Sequence, residues 1–277
     1  MRVYPIKNPV SKVNRQVLQA AKIFLAVRIF RLIWRKMNWP DSCAAVVPCL
    51  NEARTIGPLL DRIRQYLPAV YVIDDGSSDN TANHAQRAGA IVLQHAQAQG
   101  KGRALETGFS QAFTDGYSWA LCLDGDGQHD PADISKFLQA AETETAALVV
   151  GNRMEACKAM PLIRKLVNRW MSRRLSDLCA VTLPDSQCGF RLLDLKVWST
   201  LAMQAAQFEV ESEMLVRFVA AHQKIAFVPV RALYGAEQSK IHPFRDSIRW
   251  LKWYWAIQRE LALSPISIPR PLHDLAN

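Results

Sequence analysis

Trp119-Ala120-Leu121-Cys122-Leu123-Asp124-Gly125-Asp126-Gly127-Gln128 is an unbroken apolar run that ends in two carboxylates on a glycine turn. A short, continuous apolar run bounded by turn residues reads as a strand buried on both faces. The construction recurs upstream. A strand expected at 44–47 runs into Pro48-Cys49-Leu50-Asn51-Glu52, one at 70–73 into Asp74-Asp75-Gly76-Ser77-Ser78-Asp79, and one at 91–93 into a polar loop. Helices are expected between them at 55–66, from Thr81, and at 102–113. Apolar strands alternating with helices predict an α/β chain with a mostly parallel central sheet and helices on both faces. Ligands of such sheets bind beyond the carboxyl ends of the strands, and each unusual polar motif sits at one of those ends.

Beyond Gly151 the alternation loosens. Helices are expected near 162–175 and 211–221, a loop at 185–191, a strand at 225–230, a last helix from about 244 to 263, and a proline-bearing tail at 264–277. Residues 11–37 read as one helix, in which Ile23, Val27, Phe30 and Trp34 form a charge-free stripe and Arg28, Arg31 and Arg35 lie on another face. The expected organisation is therefore a basic amphipathic helix at 1–42, an α/β domain at 43–240, and a Trp-rich amphipathic helix and tail at 241–277.

The chain has 277 residues, 34 Lys+Arg against 25 Asp+Glu, and a formal net charge of +9. That balance favours nucleic acid, anionic lipid or phosphorylated ligands. Seven cations and no acid between Lys12 and Lys36 put much of the basicity at the N-terminal end. No recognisable nucleic-acid-binding motif is present, so no nucleic-acid partner is expected. The six cysteines are scattered with no CxxC pair, which argues against a zinc site or a disulfide framework and for reducing surroundings. No secretory signal is read, and the first helix has no apolar stretch near the ~20 residues that a membrane span needs.

Asp124 and Asp126, one residue apart on a glycine turn, can reach one hard divalent cation. Magnesium or manganese prefers such oxygen ligands and leaves positions for phosphate oxygens. Read alone, the same turn also fits solvated acids. Asp75 sits where it can accept hydrogen bonds from a base or ribose, beside residues that cap the helix from Thr81. Asn51 and Glu52 are polar where a nucleoside can lie, although a loop with a helix start accounts for them equally well. Gly100-Lys101-Gly102-Arg103 precedes a helix whose N-terminus favours anions, without the spacing of a P-loop.

Seven pieces occur in order: PCLNE (48–52), VIDDGSSDNT (72–81), GKGRALETGF (100–109), LDGDGQHDP (123–131), GNRM (151–154), DSQCGFRLL (185–193) and FEVESEML (208–215). Together they resemble glycosyltransferase family 2 from about residue 44 to 240, most closely the polyprenol-phosphate (dolichol-phosphate) mannose and glucose synthase group. The resemblance implies a GT-A (Rossmann-like) fold and inverting transfer of a sugar from a UDP- or GDP-sugar donor to a polyprenyl-phosphate acceptor. It implies that Pro48, Glu52 and Asp75 hold the nucleoside, and that Asp124 and Asp126 hold a metal diphosphate with Gln128 as an additional ligand. Arg153 and Arg191 would face the donor diphosphate or the acceptor phosphate. Glu211 matches an acidic position of the family, and Lys240 resembles the family's Ser-Lys segment, which would place it near the acceptor phosphate.

The long C-terminal membrane helices of many relatives are not seen. Instead Phe244, Ile248, Leu251 and Trp255 form a stripe beside Arg245, Arg249 and Lys252, with Trp250, Trp253 and Tyr254 close by. With the N-terminal helix, this pattern fits peripheral docking on an anionic cytoplasmic membrane face. Three other functions remain open on sequence: transfer to a hydroxyl acceptor with Glu211 or Asp185 as base, a non-catalytic binding protein of this fold, and a nucleotidyltransferase.

Overall fold

The computed structural model describes residues 37–155, 160–233 and 243–263. The chain divides into units 1–38 and 39–277, and the described residues other than Met37 and Asn38 belong to the second. The expected N-terminal helix, the segment with Lys240 and the tail lie outside the described residues. Trp39–Ser42 forms a single helical turn leading directly into the first strand.

Seven strands build one sheet: β1 (Cys43–Cys49), β2 (Val70–Asp74), β3 (Ile91–Gln94), β4 (Trp119–Cys122), β5 (Leu148–Asn152), β6 (Arg191–Asp194) and β7 (Ile225–Pro229). Their spatial order is β3-β2-β1-β4-β6-β5-β7. β3, β2, β1 and β4 are mutually parallel, as β5 and β7 are, whereas β6 runs antiparallel between β4 and β5. The sequence reading ended a loop at Arg191 and gave no strand at β5 or β6. β6 is four residues long and falls outside the strand–helix alternation, so its periodicity carries little signal.

The helices are α1 (Ile56–Ile63), α2 (Thr81–Arg87), α3 (Lys101–Thr114), α4 (Ile134–Glu144), α5 (Leu162–Cys179), α6 (Val210–Ala220) and α7 (Pro243–Leu263). β1, β2 and β4 are buried nearly throughout, which is why they read as continuous apolar runs rather than alternating ones. α3 lies close on the sheet because Gly108 faces it. A Cβ there would stand 2.4 Å from Val46 Cγ1 and 2.5 Å from Ile73 Cδ1.

Chain order makes the site. From β1 the next two strands are added on one side, and β4 is added on the other. Loops leaving adjacent parallel strands at such a reversal diverge and open a crevice at their carboxyl ends. The ends of β1, β2 and β4 meet there, carrying Asn51, Asp75 and Asp124.

α7 is not a detached appendage. Trp250 is buried and its indole N–H donates to Ser212 Oγ at 2.9 Å, while Glu260 pairs with Arg217 of α6. Among the described residues, no helix is long and apolar enough to cross a membrane. The five described cysteines are buried free thiols.

Candidate active site

The centre of the site is one ammonium between two carboxylates. Lys101, at the start of α3, places Nζ 2.5 Å from Asp124 Oδ1 and 2.6 Å from Glu211 Oε1. Asp124 comes from the turn after β4 and Glu211 from the first turn of α6, so the ion triad ties three distant segments together. Burial works against the Lys101 charge, but Asp124 and Glu211 outweigh it and hold its pKa above the ordinary lysine value. Burial would also raise Asp124, yet Lys101 and then His129 keep its carboxyl below the usual range. Gly189 lies directly over the pair. A Cβ there would come within 2.7 Å of Lys101 Nζ and 2.8 Å of Asp124 Oδ2.

Asp126 is the strained member. Burial, and then the charge of Asp124, push its pKa up to about 6, although the Gln128 N–H donates to its Oδ1 at 3.0 Å. Glu52 adds like charge on the other side. Glu211 Oε2 is buried without a hydrogen-bond partner. Excess negative charge and an unpartnered carboxylate oxygen are the conditions that a divalent cation relieves. Among the described residues no group of three or more His, Cys, Asp or Glu side chains is arranged to hold a metal by itself. The donor set therefore fits a cation that shares its coordination with substrate phosphates, as magnesium commonly does.

Several expected ligands are occupied by the protein. Asp75, expected to contact the nucleoside, accepts the N–H groups of Gln99 and Gly100, both at 2.8 Å, and lies 2.7 Å from His95 Nδ1. Asn51, at φ 55°, takes the Ser78 N–H on its side-chain oxygen and donates its own N–H to Ser77 Oγ. The Glu52 N–H donates to Thr81 Oγ1, and Glu52 O accepts from Ile56 at the start of α1. These bonds wire the β1 loop to the β2 loop. Pro48, one residue before the end of β1, pairs in register with Ile73.

The N-terminus of α3 is likewise engaged. The Gly102 N–H donates to Ala206 O, and a Cβ on Gly102 would meet Ala205 O at 2.0 Å. Gly100 and Gly102 admit the 205–206 backbone, and the Lys101 side chain is what reaches the site.

The two arginines are engaged by the protein as well. Arg153 forks onto Asp185, with Nε to Oδ2 at 2.8 Å and Nη2 to Oδ1 at 2.9 Å, and Asp185 is fully buried. Burial opposes the Asp185 charge, but Arg153 and two backbone N–H groups hold its pKa below the usual range. An anion so fully bonded is a poor general base. Arg191, 1% exposed, donates to the carbonyls of Cys188, Glu211 and Ser186 at 2.8, 2.6 and 3.0 Å. It positions the 186–189 loop and the start of α6 rather than facing solvent.

His129 carries a feature the sequence reading gave no weight. It is buried, its Nε2 stands 3.9 Å from Asp124 Oδ2, and its Nδ1 has no hydrogen-bond partner. Burial, reinforced by Arg153 and Lys101, pushes its pKa down to about 4, so the ring is neutral at pH 7. Its place three residues after Asp126 was the available signal.

Comparison with known proteins bears on family and fold. The family model described as "Glycosyl transferase family 2" matches residues 44–200. The chain is 29% identical over 212 residues to the UDP-N-acetylglucosamine–dolichyl-phosphate N-acetylglucosaminyltransferase of Methanococcus voltae, covering 68% of this chain and 84% of that protein. It is 27% identical over 198 residues to the undecaprenyl-phosphate mannosyltransferase of Micrococcus luteus, covering 67% and 81%. The fold is similar to glucosyl-3-phosphoglycerate synthase from Mycobacterium tuberculosis, solved with Mn2+, UDP and phosphoglyceric acid. The TM-score is 0.61 at 21% identity, with 83% of this chain and 80% of that one covered. A family match spanning more than half of the chain, on a sheet with acidic motifs at its strand ends, makes this protein a glycosyltransferase of GT-A fold that belongs to glycosyl transferase family 2.

Proposed function

We propose that the enzyme transfers a sugar, with inversion, from a UDP- or GDP-sugar to a polyprenyl phosphate at the cytoplasmic face of a membrane. The observation that carries the donor half is the cluster of Asp124, Asp126 and Glu211 around Lys101, whose raised Asp126 and unpartnered Glu211 oxygen suit a cation and a diphosphate. Asp124 and Asp126, with Gln128, would hold a magnesium or manganese ion. When bound, that ion supplies positive charge to neutralise the departing nucleoside diphosphate. Lys101, held between Asp124 and Glu211, would add a second positive charge beside the diphosphate. The β1 and β2 loops, wired through Asn51, Glu52 and Asp75, form the side of the crevice against which the nucleoside would lie.

The acceptor half is supported by the dolichyl-phosphate and undecaprenyl-phosphate relatives. A phosphate oxygen is ionised already and needs no general base. The locking of Asp185 by Arg153 fits that economy. Lys240 is proposed to meet the acceptor phosphate. One observation favours a second reading, transfer to a hydroxyl acceptor: the unpartnered oxygen of Glu211 is suited to accept a proton.

Incubation with manganese and a panel of UDP- and GDP-sugars, with and without polyprenyl phosphate, separates the two. Nucleoside diphosphate release that depends on polyprenyl phosphate, with a product labile to mild acid, supports the first. An acid-stable glycoside formed from a hydroxyl acceptor overturns it.

A further inference from the structure

Eight of the twelve exposed large apolar side chains among the described residues lie on two adjoining helices, α5 and α7. On α5, Leu162, Leu166 and Trp170 recur at i, i+4 and i+8 with Ile163 beside them, and all four are between 43% and 77% exposed. The opposite face of the helix, through Met171, Leu175 and Cys179, is buried. α5 is therefore amphipathic on both sides, with one apolar face in the core and one in solvent. On α7, Ile248, Leu251 and Trp255 are exposed while Trp250 and Ile257 are buried. Trp170 joins the two helices, its ring 5.5 Å from that of Trp250, and Arg174 lies over the Trp170 ring.

Charge decides what covers this face. α5 carries Arg164, Lys165, Arg169, Arg173 and Arg174 against one acid, Asp177. On α7 both acids are paired within the protein, Glu260 with Arg217 and Asp246 with Arg249. A second copy docked about a two-fold axis would set this cationic rim against itself. An anionic lipid surface instead complements it, taking the apolar side chains among its acyl chains and the cations among its headgroups.

The back of the same platform is part of the catalytic framework. Ser172 of α5 bonds Ser186, next to Asp185, at 3.1 Å, and Trp250 of α7 bonds Ser212, next to Glu211.

We infer that the exposed face of α5, continued by α7, is a lipid-docking surface that seats the site at the bilayer. This deepens the proposed function and rests on its lipid acceptor. The sequence pattern had suggested docking by the two terminal helices. The structure adds α5 and withdraws Trp250, which is core.

The test uses the full chain with Leu166→Cys carrying a fluorescent label, on a Cys157→Ser background, since the described native cysteines are buried. On vesicles of phosphatidylglycerol and phosphatidylcholine at low salt, brominated lipids should quench the label, and quenching should fade as salt rises. Protein that sediments with these vesicles without quenching, or that ignores them, overturns the inference. Ile163→Glu/Leu166→Glu should lower the bound fraction by about tenfold or more. It should keep nucleoside diphosphate binding and turnover of a short, water-soluble isoprenyl phosphate, while losing turnover of long-chain acceptor in vesicles. A dimer in solution that this double variant dissolves would assign the face to a second copy and overturn lipid docking. Quenching without any transfer to polyprenyl phosphate would break the acceptor reading alone.

Discussion

Two buried ion clusters lie close together in this molecule and are built in opposite ways. Arg153 and Asp185 form a closed pair, with two parallel side-chain bonds and backbone N–H groups from Arg153 and Gln187 completing the carboxylate. Lys101, Asp124, Asp126 and Glu211 form an open one, where one ammonium serves two carboxylates, a third carboxyl is pushed toward protonation, and one oxygen has no partner. A closed pair holds loops in place. An open cluster has unmet electrostatic demand, which a substrate and its cation can meet. Composition alone does not separate the two, because each consists of basic and acidic residues.

Breaking the closed pair should have the largest effect. Arg153→Met leaves Asp185 charged and buried, which costs roughly 3–5 kcal/mol. The urea midpoint should fall accordingly, and Arg153→Met/Asp185→Leu should recover much of the loss. A single variant as stable as the parent would show that the pair is not a structural lock.

Asp126→Ala should leave the fold intact and reduce kcat by about 10²–10³-fold or more, the scale on which removing preorganised charge stabilisation acts. Circular dichroism and a turnover assay check the two halves. Full activity in this variant, or in excess chelator, would contradict a metal at the open cluster.

Asp75→Ala tests a residue that is closed toward its own chain. Loss of its bonds to Gln99 and Gly100 should weaken nucleoside diphosphate binding by about 1–3 kcal/mol, the cost of unpaired buried groups. Calorimetry with His95→Ala alongside sharpens the point. Equal losses in both would indicate that Asp75 acts through the 95–100 loop. A loss confined to Asp75 would indicate contact with the nucleoside.

The smallest effect is in pH. The Asp126 carboxyl has a folded pKa of about 6 against an ordinary value of 3.8, so the folded state binds the proton more tightly than the unfolded chain. Its contribution is therefore fully present below the ordinary value and is lost as pH rises through about 6. Metal-free protein should lose stability across that window, and Asp126→Asn should flatten the slope. Manganese affinity should rise over the same window, because binding displaces the proton. A metal-free stability profile identical in parent and variant would remove the strained carboxyl from the account.

Apolar runs and strand–loop–helix alternation made β1 to β4 readable: β1, β2 and β4 are buried on both faces and need no partner to be recognised, while the short, part-exposed edge strand β3 was carried by the alternation. In the second half the three helices and β7 lie close to their expected bounds, but two strands were not read. β5 was passed over, and β6 is a short antiparallel insertion whose place between β4 and β5 depends on pairing rather than on local pattern. The site divided in the same way. Asp124 and Asp126 announced themselves by spacing, whereas the bond partners of Arg153, Arg191, Asn51 and Asp75 are set by segments distant in the chain.

The sequence by itself determined that this is an α/β glycosyltransferase with two carboxylates on a turn after a strand, since those features are local: apolar runs, glycine turns and motif order. Only the tertiary structure decided which charges close on structural partners and which gather in the open cluster. Arg191 is committed to three carbonyls and Arg153 to Asp185, while Lys101 is brought from α3 to Asp124 and Glu211. It also decided that α5 shows an apolar face to solvent. The physical reason is the same in each case. Pairing and burial depend on what the rest of the chain brings within a few ångströms, and no stretch of sequence carries that information alone.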